Sequence, residues 1–299
     1  MGRIMDDISK WPIEKRRQYL ESLYEKRIGR PLNLENPHSF TEKIQWMKLY
    51  DTDDKMTRCV DKLEFKEYVR EKIGDGYTAK LYGIWRTKDE VDFESIPTNC
   101  VIKSNCSGDG KYVYIIKNKD KYDFSKIEKE IKDECFNRAF LHTNSFFSAY
   151  YPVTPCVLIE EDISESVTGE EEYKVFCFNG IPRFIYTSDN HFDEKGNRID
   201  CSISFYDTNW NAVDVVYGDH PKCVNLTKPV FYDEMIQLSS KLAEDFSFVR
   251  VDFCVTKKRF YVTELTFAVG GGLTPYYPDE FDYKMGELWK GYPFHKEGE

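Results

Sequence analysis

The clearest pattern in the chain lies near its C-terminus. There Val249, Val251, Phe253 and Val255 alternate with Arg250, Asp252 and Cys254, and a second run, Tyr261, Thr263, Leu265 and Phe267, alternates with Val262, Glu264 and Thr266. A period of two belongs to strands with one face on a core. With Thr256-Lys-Lys-Arg-Phe260 as the turn, the segment reads as an antiparallel hairpin. Apolar matching selects the register: Val249 opposite Phe267, Val251 opposite Leu265, Phe253 opposite Thr263 and Val255 opposite Tyr261. A slip of one residue would mix the two faces. On the other face this register sets Asp252 opposite Glu264 and Arg250 opposite Thr266.

Upstream of Gly74 the pattern is helical. Ser39-Phe40-Thr41-Glu42 is a capping box, in which Ser39 takes a free amide and Glu42 reaches back. Behind it, Ile44, Met47 and Leu49 with Trp46 make an apolar stripe. A second helix is expected from Asp54 to Ile73, with Val60, Leu63, Phe65, Tyr68 and Val69 inward and Gly74 as its stop. From Tyr77 onward strands take over, at Cys100–Lys103 and Tyr112–Ile116 around a loop, Ser104–Gly110. Ser125–Glu128 opens another capped helix to about Arg138. Strands follow at Cys156–Glu161, Tyr173–Phe178, Pro182–Tyr186 and Ser202–Tyr206, then a helix at Asp233–Asp245. Helices first and antiparallel strands later predict an α+β fold.

The 299 residues, 41% of them hydrophobic and 16% aromatic, suffice for one large domain or two smaller ones. Forty-two basic against 52 acidic residues leave a net charge of −10, the wrong sign for gripping nucleic acid through its phosphates. No apolar run approaches the ~18 residues of a membrane helix, so no integral membrane segment is expected. The start, Met1-Gly2-Arg3-Ile4-Met5-Asp6, carries no export or acylation signal. Nine cysteines without a C-x-x-C pair fit free thiols in the cytoplasm. The sequence is silent on oligomeric state.

Two carboxylates opposed across a ladder repel unless a positive charge joins them. A divalent cation such as Mg2+, which takes oxygen ligands and nucleotide phosphates, meets that need. A solvated face with Lys257 or Arg259 nearby would meet it too. Lys103 followed by Ser104-Asn-Cys-Ser-Gly-Asp-Gly110 suits a phosphate, since small residues let backbone amides approach and lysine adds charge. It equally suits a plain hairpin turn. Val157-Leu-Ile-Glu160-Glu-Asp-Ile163 runs from apolar to acidic, as an ordinary strand exit does, or as a segment offering backbone groups to adenine and a carboxylate to ribose. His191 with Asp189 and Arg183 suits an acceptor pocket or a surface loop.

In order, these elements resemble the ATP-grasp superfamily. The resemblance is carried by Asp61-Lys62-Leu-Glu-Phe-Lys66, Val-Ile-Lys103 with its small-residue loop, Leu-Ile-Glu160-Glu161, Glu172-Tyr-Lys174-Val, Val249-Arg-Val-Asp252-Phe and Thr263-Glu264-Leu-Thr266. More narrowly, Asn36–Tyr50, Tyr173–Gly180, Phe248–Asp252 and Glu264–Phe267 are similar to the teichuronopeptide-biosynthesis (TupA-like) branch. Members of that branch belong to bacterial capsule and cell-wall polysaccharide loci and are often labelled glycosyltransferases.

The resemblance implies an α+β fold with two subdomains whose mostly antiparallel sheets clasp a nucleotide. It places a helical region at 1–76, a small subdomain with the phosphate loop at 77–158, and a large one with the metal hairpin at 159–299. ATP and Mg2+ are the implied cofactors. Lys103 and Lys174 would hold the α- and β-phosphates, with Ser107, Gly108 and Gly110 in the closing loop and Glu160, Glu161 and Ile163 in the adenine hinge. Asp252 and Glu264 would ligate the metal, with Thr266 where many relatives have asparagine. Arg250, with Lys174, would be catalytic, steadying charge on an acyl phosphate. The loop departs from the branch's Thr-His-Gly-Ser-Gly, and Ala268–Gly272 lacks its common proline. The implied reaction joins a small-molecule or nucleotide-sugar carboxylate to an amine. A glycosyltransferase using a nucleotide sugar is the alternative, although its acids would normally lie in a compact D-x-D element. A non-catalytic nucleotide-binding scaffold is a third class.

Overall fold

The computed structural model describes residues 11–108, 112–136, 147–163, 172–192, 198–222 and 227–291, with backbone only at 189–192 and 198–200. Helices α1 (Ile13–Ile28), α2 (Phe40–Tyr50), α3 (Asp54–Val60) and α4 (Glu64–Ile73) come first. A four-stranded sheet follows, ordered β1-β4-β2-β3 from β1 (Leu81–Trp85), β2 (Asn99–Ser104), β3 (Val113–Lys117) and β4 (Val157–Glu160), all antiparallel. Helix α5 (Ser125–Glu130) lends Ile127 to its core beside Trp85, Ile102 and Ile116.

The second sheet has the order β11-β10-β5-β6-β7-β8. Its strands are β5 (Glu172–Phe178), β6 (Ile181–Phe192), β7 (Arg198–Asp207), β8 (Ala212–Val213), β10 (Phe248–Val255) and β11 (Phe260–Thr266). A small ribbon pairs β9 (Val216–Tyr217) with β12 (Tyr276–Tyr277) ahead of α7 (Glu280–Leu288). One face of the sheet, with Val249, Val251, Val175 and Cys177, lies against α6 (Tyr232–Ala243), where the Cys177 thiol reaches Ser239 O. The opposite face is divided. At one end Phe40 of α2 sits edge-on to Phe248 (4.7 Å) and Phe178 (5.9 Å), with Trp289 beside them. The other end carries the charged side chains.

Helix α2 is anchored by the expected capping box, Ser39 accepting from Glu42 N while the Glu42 carboxylate takes Ser39 N. Its polar side chains are buried, and burial without partners is costly. Thr41 donates to Asp282, Lys43 to the carbonyls of Gly286 and Trp289, and Lys48 to Gln45 Oε1 and Gly271 O at 3.0 Å. Burial draws the Lys48 ammonium down to about 7, from 10.5. Between those values unfolding takes up a proton, so stability rises with pH across that window. Lys48→Met should flatten the rise by up to about 1.4 kcal/mol per pH unit, measured by chemical denaturation at several pH values between about 7 and 10. Equal slopes in the two proteins would assign the effect elsewhere.

Three local expectations are corrected. The helix expected from Asp54 to Ile73 breaks at Asp61, whose carboxylate takes Leu63 N and so offers the backbone an alternative to the helix. Ser125 does not cap α5 but is its first residue: the N-cap is Phe124, without a side-chain cap bond, and Asp123 one residue earlier accepts from Ser125 N. Beyond α5 the chain makes a π-helical turn, Ile131–Cys135. In the C-terminal hairpin, Arg250–Thr266, Val251–Leu265 and Asp252–Glu264 pair as expected. A bulge then inserts Thr263, moving Phe253 to Val262, Cys254 to Tyr261 and Val255 to Phe260. Thr263 Oγ1 ties the bulge to Asp252 O at 3.2 Å.

Candidate functional site

Three adjacent strands bring Glu264, Asp252 and Lys174 into one row, because Asp252 pairs with Glu264 on one side and Lys174 on the other. Tyr186 of β6 extends the row, and the Lys174 ammonium stands 5.3 Å from its ring centroid. Two residues along β10, Arg250 lies on the same face. Its Nε and Nη2 donate to the two oxygens of Asp252, both at 2.6 Å, and Nη2 also reaches Thr266 Oγ1 at 3.1 Å.

Burial pushes the Asp252 carboxyl above its ordinary range, and Glu264 adds to the rise, against the pull of Arg250 and Lys174. Glu172, also on this face, is drawn the other way. Burial would raise it, but Lys174, with Nζ 3.2 Å from its Oε2, brings it below the usual carboxylate range, helped by Arg250 and Ser188. Among the described residues, the half-buried Glu264 carboxylate has no hydrogen-bond or ion-pair partner. The Tyr276 hydroxyl, buried near Arg250, has none either.

A second cluster lies on the smaller sheet. Glu160, 2% exposed, stands between two lysines: Lys103 Nζ is 2.6 Å from one oxygen and Lys66 Nζ 3.0 Å from the other. Lys66 also donates to Ala79 O at 2.6 Å. The loop after β2 is pinned at its root by Asn105, whose side chain donates to Asp61 and Thr154 O and accepts from Cys156 N. Lys62 then reaches over to Ser107 O, and the Ser107 hydroxyl is buried without a partner among the described residues. On the face of Lys103 and Glu160, register also places Val101, Val113 and Ile115, the last two exposed apolar side chains.

The two sheets touch where the chain passes between them. Val262 N donates to Tyr77 O, Tyr77 packs on Phe260, and Glu161 N bonds Lys80 O at 2.8 Å. The charge of Glu161 is felt by the Tyr261 hydroxyl, so the end of β4 faces the rim of β11. A cavity of about 540 Å³ opens at this junction, lined in part by Lys66, Tyr77, Lys80, Leu81 and Ile84.

Asp252, Glu264, Thr266, Arg250 and Lys174 therefore gather on one face, and Lys103 and Glu160 touch on the other sheet. Ser107 and Gly108 occupy the loop after β2; Gly110 lies outside the described residues, as do the side chains of His191 and Asp189. Glu161 and Ile163 lie just past β4, with Asp162 between them 2.5 Å from Lys117. The Asp252 charge is answered within the chain by Arg250, rather than by Lys257 or Arg259. An i, i+2 pair on one strand face is a signal present in the sequence. Lys62 and Lys66, four residues apart, and Glu172 also join the clusters; spacing alone did not distinguish them from solvated charges.

No group of three or more His, Cys, Asp or Glu among the described residues is placed to hold a metal ion by itself, and every described cysteine is a free thiol. No described helix is long and apolar enough to cross a membrane.

A family model described as TupA-like ATPgrasp matches residues 42–290. No curated protein matches the chain. Among solved structures, the chain is similar to D-alanine–D-alanine ligase from Bacillus anthracis, at 17% identity and a TM-score of 0.42, covering 76% of this chain and 59% of that one. It is also similar to D-alanine–D-alanine ligase from Helicobacter pylori, at 14% identity and TM-score 0.42, over 86% and 67%. Phosphoribosylamine–glycine ligase from Thermotoga maritima follows at 12% identity and TM-score 0.44, over 71% and 48%. The chain thus spans less than two thirds of the first of these.

Proposed function

Because the chain belongs to the TupA-like ATP-grasp family, we propose that it is an ATP- and Mg2+-dependent carboxylate–amine ligase. In this reading it works in the cytoplasm on a uronic acid or similar group of a bacterial surface polysaccharide. The observation that carries the reading is the row Glu264–Asp252–Lys174 with Arg250 on the same face.

The donors suit a hard cation. Glu264 offers a carboxylate without a partner, Thr266 a hydroxyl, and each Asp252 oxygen retains lone-pair capacity beyond its bond to Arg250. Magnesium held by Asp252, Glu264 and Thr266 would screen the negative charge of the triphosphate. The lysines suit the triphosphate itself, with Lys103 and Lys66 from the small sheet side and Lys174 from the large. The orphaned Ser107 hydroxyl supplies a further donor. Val101, Val113 and Ile115 form an apolar platform for the base, beside the backbone of Glu160–Ile163.

The reaction then runs in two displacements. An oxygen of the substrate carboxylate attacks the γ-phosphorus, and the bond to the β-bridging oxygen breaks to give an acyl phosphate and ADP. The amine then attacks the acyl carbon, phosphate leaves, and the amine proton goes to solvent or phosphate. The protein's part is positioning and charge neutralisation, with no nucleophile of its own. Arg250, held flat by Asp252, presents its remaining N–H groups to charge developing on the acyl group.

An ADP-release screen of uronic acids and their nucleotide sugars tests this, with hydroxylamine trapping any acyl phosphate as a hydroxamate. ADP release that depends on one acid, with hydroxamate formed, is the expected result. ADP release with no acid in the panel would point to a kinase and overturn the ligase.

A further inference from the structure

We infer that helix α1 carries a docking face for an anionic lipid bilayer, formed by Lys15, Arg16, Tyr19, Leu23, Lys26 and Arg27. From Lys10 to Arg30 the sequence holds seven Lys or Arg against three Glu, in a chain of net charge −10. Basic charge is thus concentrated on one element while the remainder of the molecule is acidic.

The helix sorts that charge between its sides, since residues three or four apart share a face. Leu20 and Tyr24, both fully buried, lie toward α2, where the Tyr24 hydroxyl meets Thr41 Oγ1 at 2.8 Å. Glu14, Gln18, Glu21 and Glu25 follow one another along one flank. The other flank holds the six residues named above and contains no acid. Lys15, Lys26 and Arg27 are exposed there, and Tyr19 is 45% exposed.

The cations of this strip are not used within the fold. Arg17 is held by Glu21 and Glu35, and Arg30 by Asp279 and Asp282. Among the described residues, Lys15, Arg16, Lys26 and Arg27 have no carboxylate partner, and Arg16 Nε is buried without a hydrogen bond. Lys15 instead lies 3.7 Å from the centre of the Trp11 ring, and Trp11 meets Tyr19 edge-on at 5.9 Å. A merely solvated face gains from a glutamate four residues before each Lys or Arg. The positions four before Lys15, Lys26 and Arg27 hold Trp11, Ser22 and Leu23.

Charge complementarity selects an anionic surface, and the residues between the charges select a bilayer. Tyr19 and Leu23 reach the depth where headgroups give way to acyl chains, while the Lys and Arg stems lie flat with their charges among the headgroups. The helix, 16 residues long, extends about 24 Å and so meets a flat surface along one line. A soluble polyanion would engage the cations alone. The acidic body of the protein is repelled by the same lipids, which confines contact to α1.

Co-sedimentation of the full chain with vesicles tests this, using phosphatidylglycerol mixed into phosphatidylcholine against phosphatidylcholine alone. Binding is expected only to the anionic vesicles, and should weaken about tenfold or more as salt rises from low to physiological ionic strength. Each cation near the surface strengthens binding about fivefold, so Lys26→Gln with Arg27→Gln should weaken it about 25-fold. Tyr19→Ser should weaken it severalfold at unchanged charge. Lys257→Gln with Lys258→Gln removes the same charge from the exposed turn between β10 and β11, and should bind as the parent does. No binding by the parent, equal binding to neutral vesicles, or equal losses from the two lysine-bearing pairs would overturn the inference. Parent-like binding by Tyr19→Ser, with dextran sulfate displacing the vesicles, would assign the strip to a soluble polyanion instead. Should the Lys26 and Arg27 pair of changes unfold the chain, Lys15→Gln with Tyr19→Ser makes the comparison from the other end of the helix. None of these outcomes depends on the ligase reading.

Discussion

Arg250→Ala is expected to weaken both the fold and the reaction, by separable amounts. The guanidinium is the partner of Asp252, which is only 5% exposed, and its removal leaves a buried carboxylate uncompensated. Breaking such a pair from one side costs about 3–5 kcal/mol. The Asp252 carboxyl, already raised by burial, would rise further, so the loss should be greatest above its pKa and should shrink as acid protonates it. Catalysis is affected independently: loss of one donor to a developing oxyanion lowers kcat about 10²–10³-fold. The double variant Arg250→Ala with Asp252→Asn separates the two effects, since it removes the unpaired charge and should recover most of the stability while remaining inactive. Chemical denaturation and turnover at saturating ATP read the two quantities. An unchanged kcat in Arg250→Ala would remove the arginine from the chemistry.

Glu160→Gln should behave differently with and without nucleotide. Its carboxylate separates Lys66 from Lys103, and burial already lowers the Lys66 ammonium, with the Lys103 charge adding to the fall and Glu160 opposing it. Without the carboxylate, two partly buried cations face each other, at a cost of about 3–5 kcal/mol on the scale of a broken buried pair. A triphosphate on the same lysines supplies the missing negative charge. The Tm of the variant alone should therefore fall, and the rise in Tm on adding Mg·ATP should exceed that of the parent. Glu160 holding a ribose hydroxyl predicts the reverse, a smaller rise. The sign of that difference assigns the side chain.

The sequence made the hairpin legible because one face of it is apolar almost throughout, and a pleat of period two turns that into a register. It was legible only as far as Asp252, since the bulge at Thr263 follows from no alternation of side chains. The capping box at Ser39 was equally plain, being local. The break at Asp61 was hidden because only part of its cause is local: the Asp61 carboxylate that takes Leu63 N also accepts from Asn105, far along the chain, which ties this point to the loop after β2. For the same reason Lys62 and Lys66 read as ordinary helix charges until β4 arrived beneath them with Glu160. Arg250 was expected near the reacting group, yet its grip on Asp252 was not anticipated; same-face neighbours two apart on a strand are easily overlooked when acids are sought only across the ladder.

The bonds of α2 also govern when the molecule can become complete. Thr41 must find Asp282, 241 positions later, and Lys43 the end of α7. During synthesis the buried polar face of this helix therefore waits until α7 has emerged. Contacts so remote in sequence form slowly and leave intermediates with exposed surface. The nascent chain should depend on chaperones until α7 is released, and fragments ending before α7 should aggregate rather than fold.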